Sequence, residues 1–150
     1  MTAYPDTSFL CALYRVQDNS PAAHSYKASH PEPLHVTALL EFEFLQSIRL
    51  QVWLHEYDKT KGYGEREATQ MIADWEHDLA TGVVKLVSFD MLEILRYSSS
   101  LSGAHTMKGG HRTLDVLHTA TAVHLGAREF LSFDPRQKKL ARAAGLKTPL

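Results

Sequence analysis

The sequence predicts an α/β protein, built as a three-layer α/β/α sandwich around a parallel sheet of four or five strands. Short β-type segments alternate along the chain with segments of helical apolar periodicity, which is the pattern of a parallel sheet covered on both faces. Three predicted strands also end in or beside an acid, at Asp6, Asp90 and Asp134. In parallel sheets the strand ends and the following helix N-termini share one edge, where such folds bind their ligands.

Size and composition favour one globular domain over residues 1–150. The hydrophobic fraction of 44% and the charged fraction of 22% are ordinary for a folded protein. The single cysteine, Cys11, excludes a disulfide framework and a cysteine-rich zinc site. No signal-like segment and no apolar run of membrane-spanning length occurs, so we expect a cytoplasmic protein without a membrane partner.

The first half of the chain predicts two strand–helix units. Asp6, Thr7 and Ser8 are helix-capping residue types that follow the first short strand, and Thr37 caps a long helix after the second. Pro5 has no backbone N–H, so it removes one ladder hydrogen bond next to Asp6. The predicted strands are 1–4 and 34–36, and the predicted helices begin near 8, 22 and 37 and end near 16, 29 and 56.

The second half predicts an amphipathic helix, then a strand–helix unit, then a helix–strand–helix unit. Gly103, Gly109 and Gly110 favour a loop over 102–111. Asp115 opens the next helix, and Asp134 with Pro135 starts the last one. The predicted helices are 65–80, 91 to about 100, 115–125 and one from 135, and the predicted strands are 83–87 and 129–133.

Acids gathered at one sheet edge point to a metal. A single aspartate at a strand–helix junction is most often an N-cap. Several carboxylates held together repel one another, and they persist when divalent cations, typically Mg²⁺ or Mn²⁺, bind there. Glu41 and Glu43 also lie in an apolar helix, where a carboxylate needs a metal ion or another cation as its partner.

The histidines and tryptophans do not predict a site of their own. His118 and His124 are six residues apart, which is not the i, i+4 pair of a helical zinc site, so we interpret them as core or partly exposed histidines. Trp53 and Trp75 lie in predicted helices, and we expect core or dimer contacts there rather than platforms for base stacking.

Four segments together resemble a known family. They read YPDTSFL at 4–10, LLEFEFLQSIRL at 39–50, RTLDVLHTATAVHLGA at 112–127 and FLSFDPRQKKLARAAGL at 130–146. In this order they resemble the PIN-domain nucleases and, within them, the VapC-like toxins of bacterial type II toxin–antitoxin pairs.

The resemblance implies a site and an activity. It implies a Mg²⁺- or Mn²⁺-dependent endoribonuclease that hydrolyses RNA with a metal-activated water, acts as a homodimer and is bound by a cognate antitoxin protein. Glu43 is preferred to Glu41 because of its EFLQSI context, and Asp90 matches no acid of the family, which predicts a helix cap. The implied catalytic and metal-binding acids are Asp6, Asp115, Asp134 and, directly or through water, Glu43, and the supporting hydroxyls are Thr7, Ser8 and Ser132.

Basic residues near Asp115 and Asp134 are candidate contacts to the RNA backbone. Lysine and arginine contacts to phosphates position a nucleic acid without reading its sequence. The alternative is that the lysines form only the solvated face of the last helix. The four candidates are Arg112, Arg136, Lys138 and Lys139.

Two other functions remain open at this point. One is a catalytically idle PIN scaffold that serves as a protein-interaction module, with an apolar docking surface on the helices between 57 and 79. The other is a receiver-like Mg²⁺-binding α/β module, which would normally need paired acids after the first strand, where Asp6 stands alone.

Overall fold

In the computed structural model, which describes residues 1–150, four short strands alternate with seven α-helices. The predicted α/β class with a parallel sheet inside a three-layer α/β/α arrangement is confirmed. No helix is both long enough and apolar enough to cross a membrane. The strands are β1 (Ala3–Pro5), β2 (Leu34–Val36), β3 (Val84–Leu86) and β4 (Glu129–Leu131). The helices are α1 (Thr7–Tyr14), α2 (Ser20–Ser29), α3 (Ala38–Tyr57), α4 (Glu65–Thr81), α5 (Met91–Gly109), α6 (Thr113–His124) and α7 (Pro135–Ala143).

The strands lie in the order β3–β2–β1–β4 and form two parallel ladders. β1 pairs with β4, with Tyr4 opposite Phe130, and β2 pairs with β3, with His35 opposite Lys85. β1 lies beside β2, but no backbone ladder joins them. Beyond β4, Glu129 forms a single parallel bridge with Lys147, which extends the sheet by one short position.

Pro5 accounts for the missing ladder between β1 and β2. The N–H of Asp6 donates to the Leu131 carbonyl oxygen at 2.9 Å, so the amide of residue 6 faces β4. Because successive amides of a strand point in opposite directions, the nitrogen of residue 5 faces β2. Proline has no hydrogen to donate there, which is the lost ladder bond that the sequence predicted.

The core fills the space between the sheet and the helices on both of its faces. Its largest fully buried side chains include Tyr4, Phe44, Trp75 and Phe130, so the prediction of a core role holds for Trp75. Trp53 is different, because its side chain lies on the outer face of α3 and is 53% exposed.

A second, smaller hydrophobic cluster stabilises the part of α5 that lies beyond its predicted end. The prediction that α5 stops near Ser100 and that 102–111 is a loop is wrong, because the helix continues to Gly109. Leu101 is buried against Val116 of α6 and Leu140 of α7, and this packing outweighs the cost of Gly103 in the helix interior. Gly110 then ends the helix with φ of +64°, a conformation that favours glycine.

Candidate active site

Two of the predicted acids are brought together by the pairing of β1 with β4. Asp6 directly follows β1 and Asp134 lies three residues beyond β4, so both stand at the carboxyl edge of the same parallel ladder. Ser8 connects the two strand ends, because its Oγ donates to Asp6 Oδ1 at 2.7 Å and accepts from the Phe133 amide at 2.8 Å. Ser132 Oγ accepts from the Asp134 amide at 3.0 Å. Both predicted serines therefore contact the acids or their backbone.

Asp6 is a buried carboxyl group without a lysine or arginine partner. Its side chain caps α1 by accepting from the Phe9 amide at 2.9 Å, and the residue is 3% exposed. Burial raises the pKa of Asp6 to about 6, although hydrogen bonds from Ser132, Ser8 and Phe9 and the proximity of His118 act in the opposite direction. A bound cation would offset the cost of ionising this group.

Glu43 reaches the same edge from the middle of α3. Its Oε2 accepts from the Thr7 hydroxyl and lies 2.8 Å from His118 Nε2. Burial alone would raise the pKa of Glu43, but the hydrogen bond and charge of His118 and the bond from Thr7 outweigh it and hold the pKa below its ordinary value. Glu41 is directed elsewhere, because its Oε1 accepts from Trp75 Nε1 at 3.1 Å. The structure thus brings Glu43, and not Glu41, to Thr7.

Asp115 lies in the first turn of α6 and is held at both oxygens. The helix begins at Thr113, two residues before the predicted start, because Asp115 Oδ2 accepts from the Arg112 amide at 3.2 Å and closes the first turn. The other oxygen, Oδ1, accepts from Gln137 Nε2 at 3.1 Å. Gln137 belongs to α7, whose N-cap is Asp134. Asp115 and Asp134 are therefore connected through Gln137.

Three side chains in this region were not predicted as part of the site. The first, His118, is fully buried, as expected for a core histidine, but it also bonds to Glu43. The second is Tyr4, whose hydroxyl lies 2.9 Å from His118 Nδ1. Gln137 is the third, through its contact with Asp115. One signal in the sequence could have found His118: it follows Asp115 by three residues, so both lie on one face of α6.

Asp90 stays outside the site, as predicted. Its Oδ1 caps α5 by accepting from the Leu92 amide at 2.9 Å and the Glu93 amide at 3.2 Å. Asp90 follows β3, the strand farthest from β4 in the sheet order. The sequence Ser-Phe-Asp (SFD) occurs at both 88–90 and 132–134, and its aspartate caps a helix in both places. Sheet position alone separates Asp90 from Asp134.

The candidate RNA contacts divide into two groups. Arg112, Arg136 and Lys139 are exposed and form no ion pair in the structure. Arg112 caps α6, and Arg136 lies in the first turn of α7, where its amide donates to Asp134 Oδ1 at 2.7 Å. Lys138 differs, because its ammonium group donates to the Leu150 carbonyl oxygen at 2.9 Å.

The predicted docking surface on residues 57–79 needs a correction. The apolar face of α4 is buried in the core through Ala68, Met71 and Trp75, so it is not available to a partner. Large exposed apolar side chains occur mainly on two other helices, α3 and α5. Those on α3 are Phe42, Leu50, Trp53 and Tyr57, and the ring centroids of Trp53 and Tyr57 lie 4.6 Å apart.

The chemistry of these donors fits a hard divalent cation. Carboxylate oxygens are the ligands that Mg²⁺ and Mn²⁺ prefer, and the only basic side chain bonded to any of the four acids is His118. As the side chains stand, no three Asp, Glu, His or Cys residues are close enough to hold one ion together. Asp115 and Asp134 are bonded instead to Gln137 and to backbone amides, and would have to turn from these partners to share an ion.

Comparison with known proteins gives a family and a fold. A family model described as "PIN domain" matches residues 3–143. Among solved structures, the chain is similar to the crystal structure of PAE2754 from Pyrobaculum aerophilum, with a TM-score of 0.56, 14% sequence identity and coverage of 99% of this chain and 89% of that chain. At this identity the likeness concerns the fold alone. A search of curated proteins gave no match.

Proposed function

Because this chain belongs to the PIN domain family, whose members are typically metal-dependent nucleases, we propose that it is an endoribonuclease that hydrolyses RNA with Mg²⁺ or Mn²⁺. Membership of this family is inconsistent with the receiver-like alternative. The remaining alternative is an idle PIN scaffold that only binds other proteins.

The observation that carries the proposal is the linkage of the four acids by short hydrogen-bonded paths at the carboxyl end of the sheet. These acids come from four different parts of the chain, the ends of β1 and β4, the middle of α3 and the first turn of α6. Ser8 links Asp6 to the backbone just before Asp134, and Gln137 links Asp134 to Asp115. Glu43 bonds to Thr7, the residue that follows Asp6. Asp6 also caps α1, but it is buried without a basic partner and is costly to ionise, a cost that a bound cation would offset.

Each acid has a proposed role. Asp6, Asp115 and Asp134 would hold the metal directly, and Glu43 would act through water or help a second ion. When bound, the metal supplies the acidity that activates a water and polarises the phosphodiester. The three hydroxyl residues orient the acids or their backbone through the bonds described above. Those residues are Thr7, Ser8 and Ser132.

The RNA backbone is proposed to lie against the exposed cations beside the acids. Arg112 and Arg136 adjoin Asp115 and Asp134 in the chain, and Lys139 follows one turn later on α7. Contacts from these side chains would neutralise phosphates and fix the register of the strand. Lys138 would have to give up its bond to Leu150 to join them.

The biological setting is proposed from the resemblance to VapC-like toxins. In this setting the protein is the cytoplasmic toxin of a toxin–antitoxin pair, it forms a homodimer, and its antitoxin covers the acid site. The exposed apolar residues of α3 support a protein partner, because aromatic side chains such as Trp53 and Tyr57 are favoured at interfaces.

A cleavage assay on cellular RNA tests the proposal. Purified protein is incubated with a total RNA pool in Mg²⁺ or Mn²⁺, with EDTA, and as the Asp115→Asn variant. We expect discrete fragments that require the metal and disappear with EDTA and in the variant. Folded protein that binds Mn²⁺ but cleaves no RNA from any pool would favour the idle scaffold instead.

A further inference from the structure

A chain of hydrogen bonds runs from the core to Glu43. Thr37 Oγ1 lies 3.4 Å from the Tyr4 hydroxyl, which lies 2.9 Å from His118 Nδ1, and His118 Nε2 lies 2.8 Å from Glu43 Oε2. Thr37, Tyr4 and His118 are each 0% exposed, whereas the Glu43 side chain is 24% exposed. The chain therefore has three buried members and one that reaches the accessible acid site.

The direction of each bond follows from the atoms at its ends. An ionised Glu43 can only accept, so His118 Nε2 carries the hydrogen of that bond. In the neutral ring Nδ1 then accepts and the Tyr4 hydroxyl donates to it, whereas in the charged ring Nδ1 also carries a hydrogen and donates to the Tyr4 oxygen. Thr37 Oγ1 accepts from the Leu40 amide at 3.3 Å, which leaves its own hydrogen for the Tyr4 oxygen. In either protonation state both ring nitrogens are bonded, and these two bonds fix the orientation of the His118 ring.

We propose that His118 is a positioning residue that holds the Glu43 carboxylate in its working orientation, and that Tyr4 and Thr37 set the His118 ring for this task. The role rests on the proposed metal-dependent nuclease function. A glutamate side chain has three freely rotating bonds and loses substantial entropy when it is held in one rotamer. Outer partners of metal-binding carboxylates supply this restraint in other sites.

The position of the chain of bonds in the fold supports this role. Tyr4 precedes Asp6 by two residues in β1, and His118 follows Asp115 by three residues in α6. The strand and the helix that present these two acids therefore also carry the residues that orient Glu43. Thr7, which follows Asp6, contacts the same Oε2 atom of Glu43. A shift of β1 or α6 would be transmitted to Glu43 through these bonds.

The test compares variants of His118 with a matched histidine. His118→Leu removes both bonds of the ring, and His118→Gln keeps an N–H near the Nε2 position. Tyr4→Phe removes the hydroxyl that bonds to Nδ1 and to Thr37, and it leaves the bond between His118 and Glu43 in place. His124→Gln is the control, because His124 lies on the same helix but is exposed. Mn²⁺ affinity is measured by calorimetry, kcat and KM by RNA cleavage, and folding by circular dichroism.

We expect His118→Leu to weaken Mn²⁺ binding or to lower kcat roughly 10–100-fold with KM for RNA little changed. His118→Gln should recover most of the loss, Tyr4→Phe should lose roughly 2–10-fold, and His124→Gln should match the wild type. A buried histidine with a structural role alone would instead change the unfolding midpoint without this split between kcat and KM.

A double-variant cycle isolates the path through Glu43. If His118 acts through this carboxylate, then His118→Leu should have little further effect on Mn²⁺ affinity or kcat in a Glu43→Ala background. Additive losses in folded protein would overturn the positioning role, as would a His118→Leu variant that binds and cleaves like the wild type. A folded wild type that binds no Mn²⁺ would instead overturn the proposed function itself.

Discussion

The side-chain amide of Gln137 donates to Asp115 Oδ1 at 3.1 Å, although 22 residues separate them. The backbone amide of Gln137 also donates to Asp134 Oδ1 at 3.3 Å. One residue thus restrains two of the proposed metal ligands, and 6% of its surface is exposed. The contact depends on how α7 packs against α6, so it joins the packing of these helices to the geometry of the site.

We predict that Gln137→Leu weakens Mn²⁺ binding roughly tenfold, because it removes the partner that holds Asp115 while keeping a side chain of similar size. Calorimetric titration of the purified variant measures this. Gln70→Leu is a suitable control, since Gln70 makes the same amide–carboxylate bond, to Asp74 at 2.8 Å, on the exposed face of α4. Tighter binding by Gln137→Leu would mean that the amide competes with the metal for Asp115.

The two SFD sequences offer a matched pair of variants. Asn caps helices about as well as Asp, so Asp134→Asn and Asp90→Asn should both keep the unfolding temperature of the wild type within a few degrees. Only Asp134→Asn should lose RNA cleavage. The loss should exceed the roughly 10–100-fold that follows removal of a residue that only bonds to a metal ligand. Equal activities of the two variants in the Mn²⁺ assay would remove Asp134 from the site.

Local patterns in the sequence were sufficient to predict the positions of two of the acids. A strand, an acid and a helix in succession place Asp6 and Asp134 at the carboxyl edge of a parallel sheet, whatever the rest of the chain does. The same pattern could not separate Asp134 from Asp90, because that difference depends on the order of the strands. The sheet order, which pairs β4 with β1, resolves it.

Long-range contacts between side chains were beyond the reach of these patterns. His118 and Glu43 are 75 residues apart, and their contact requires α3 and α6 to rotate particular faces towards each other. The length of α5 was mispredicted for a related reason, since the burial of Leu101 against α6 and α7 decides it and the local glycines do not. Tertiary packing overrides local propensity in both cases.

Asp6 should make the metal-free protein less stable as the pH rises. Its pKa is raised by burial from 3.8 to about 6, so its contribution to stability is fully present below pH 3.8 and is lost as the pH rises through 6. The loss is on the order of 2–3 kcal/mol. Asp6→Asn should abolish this component in urea unfolding measured with EDTA between pH 4.5 and 7.

Glu43 does not obscure this measurement. Its pKa is lowered, so its contribution is present above its ordinary value of 4.5 and is lost only as the pH falls below that value. The stability contribution of Asp6 is therefore lost as the pH rises and that of Glu43 as the pH falls, and the two pH ranges barely overlap. If the wild type and Asp6→Asn show the same pH profile above pH 4.5, Asp6 is not a buried, unpaired acid in solution.

Arg112 should contribute to RNA binding through charge alone. Arg112→Ala should weaken binding of single-stranded RNA of any sequence and reduce the slope of log K against log salt concentration by about 0.7, the value for one phosphate contact. Filter binding or fluorescence anisotropy with the Asp115→Asn protein, at several salt concentrations, measures the slope without cleavage. Lys85→Ala is the control, because Lys85 is exposed on β3, at the other side of the sheet. An unchanged slope for Arg112→Ala would exclude that residue.

We predict that the protein forms a dimer and that Trp53 lies in the dimer interface. Its side chain is 53% exposed on α3, beside Tyr57 at 76%, and burial of such aromatic residues dominates the free energy of many interfaces. We predict that light scattering gives the wild type twice the chain mass of 16.9 kDa and gives Trp53→Glu the single mass. Met107→Glu is the control, because Met107 is an equally apolar residue that is 92% exposed on α5. A dimer that survives Trp53→Glu but dissociates with Met107→Glu would move the interface from α3 to α5.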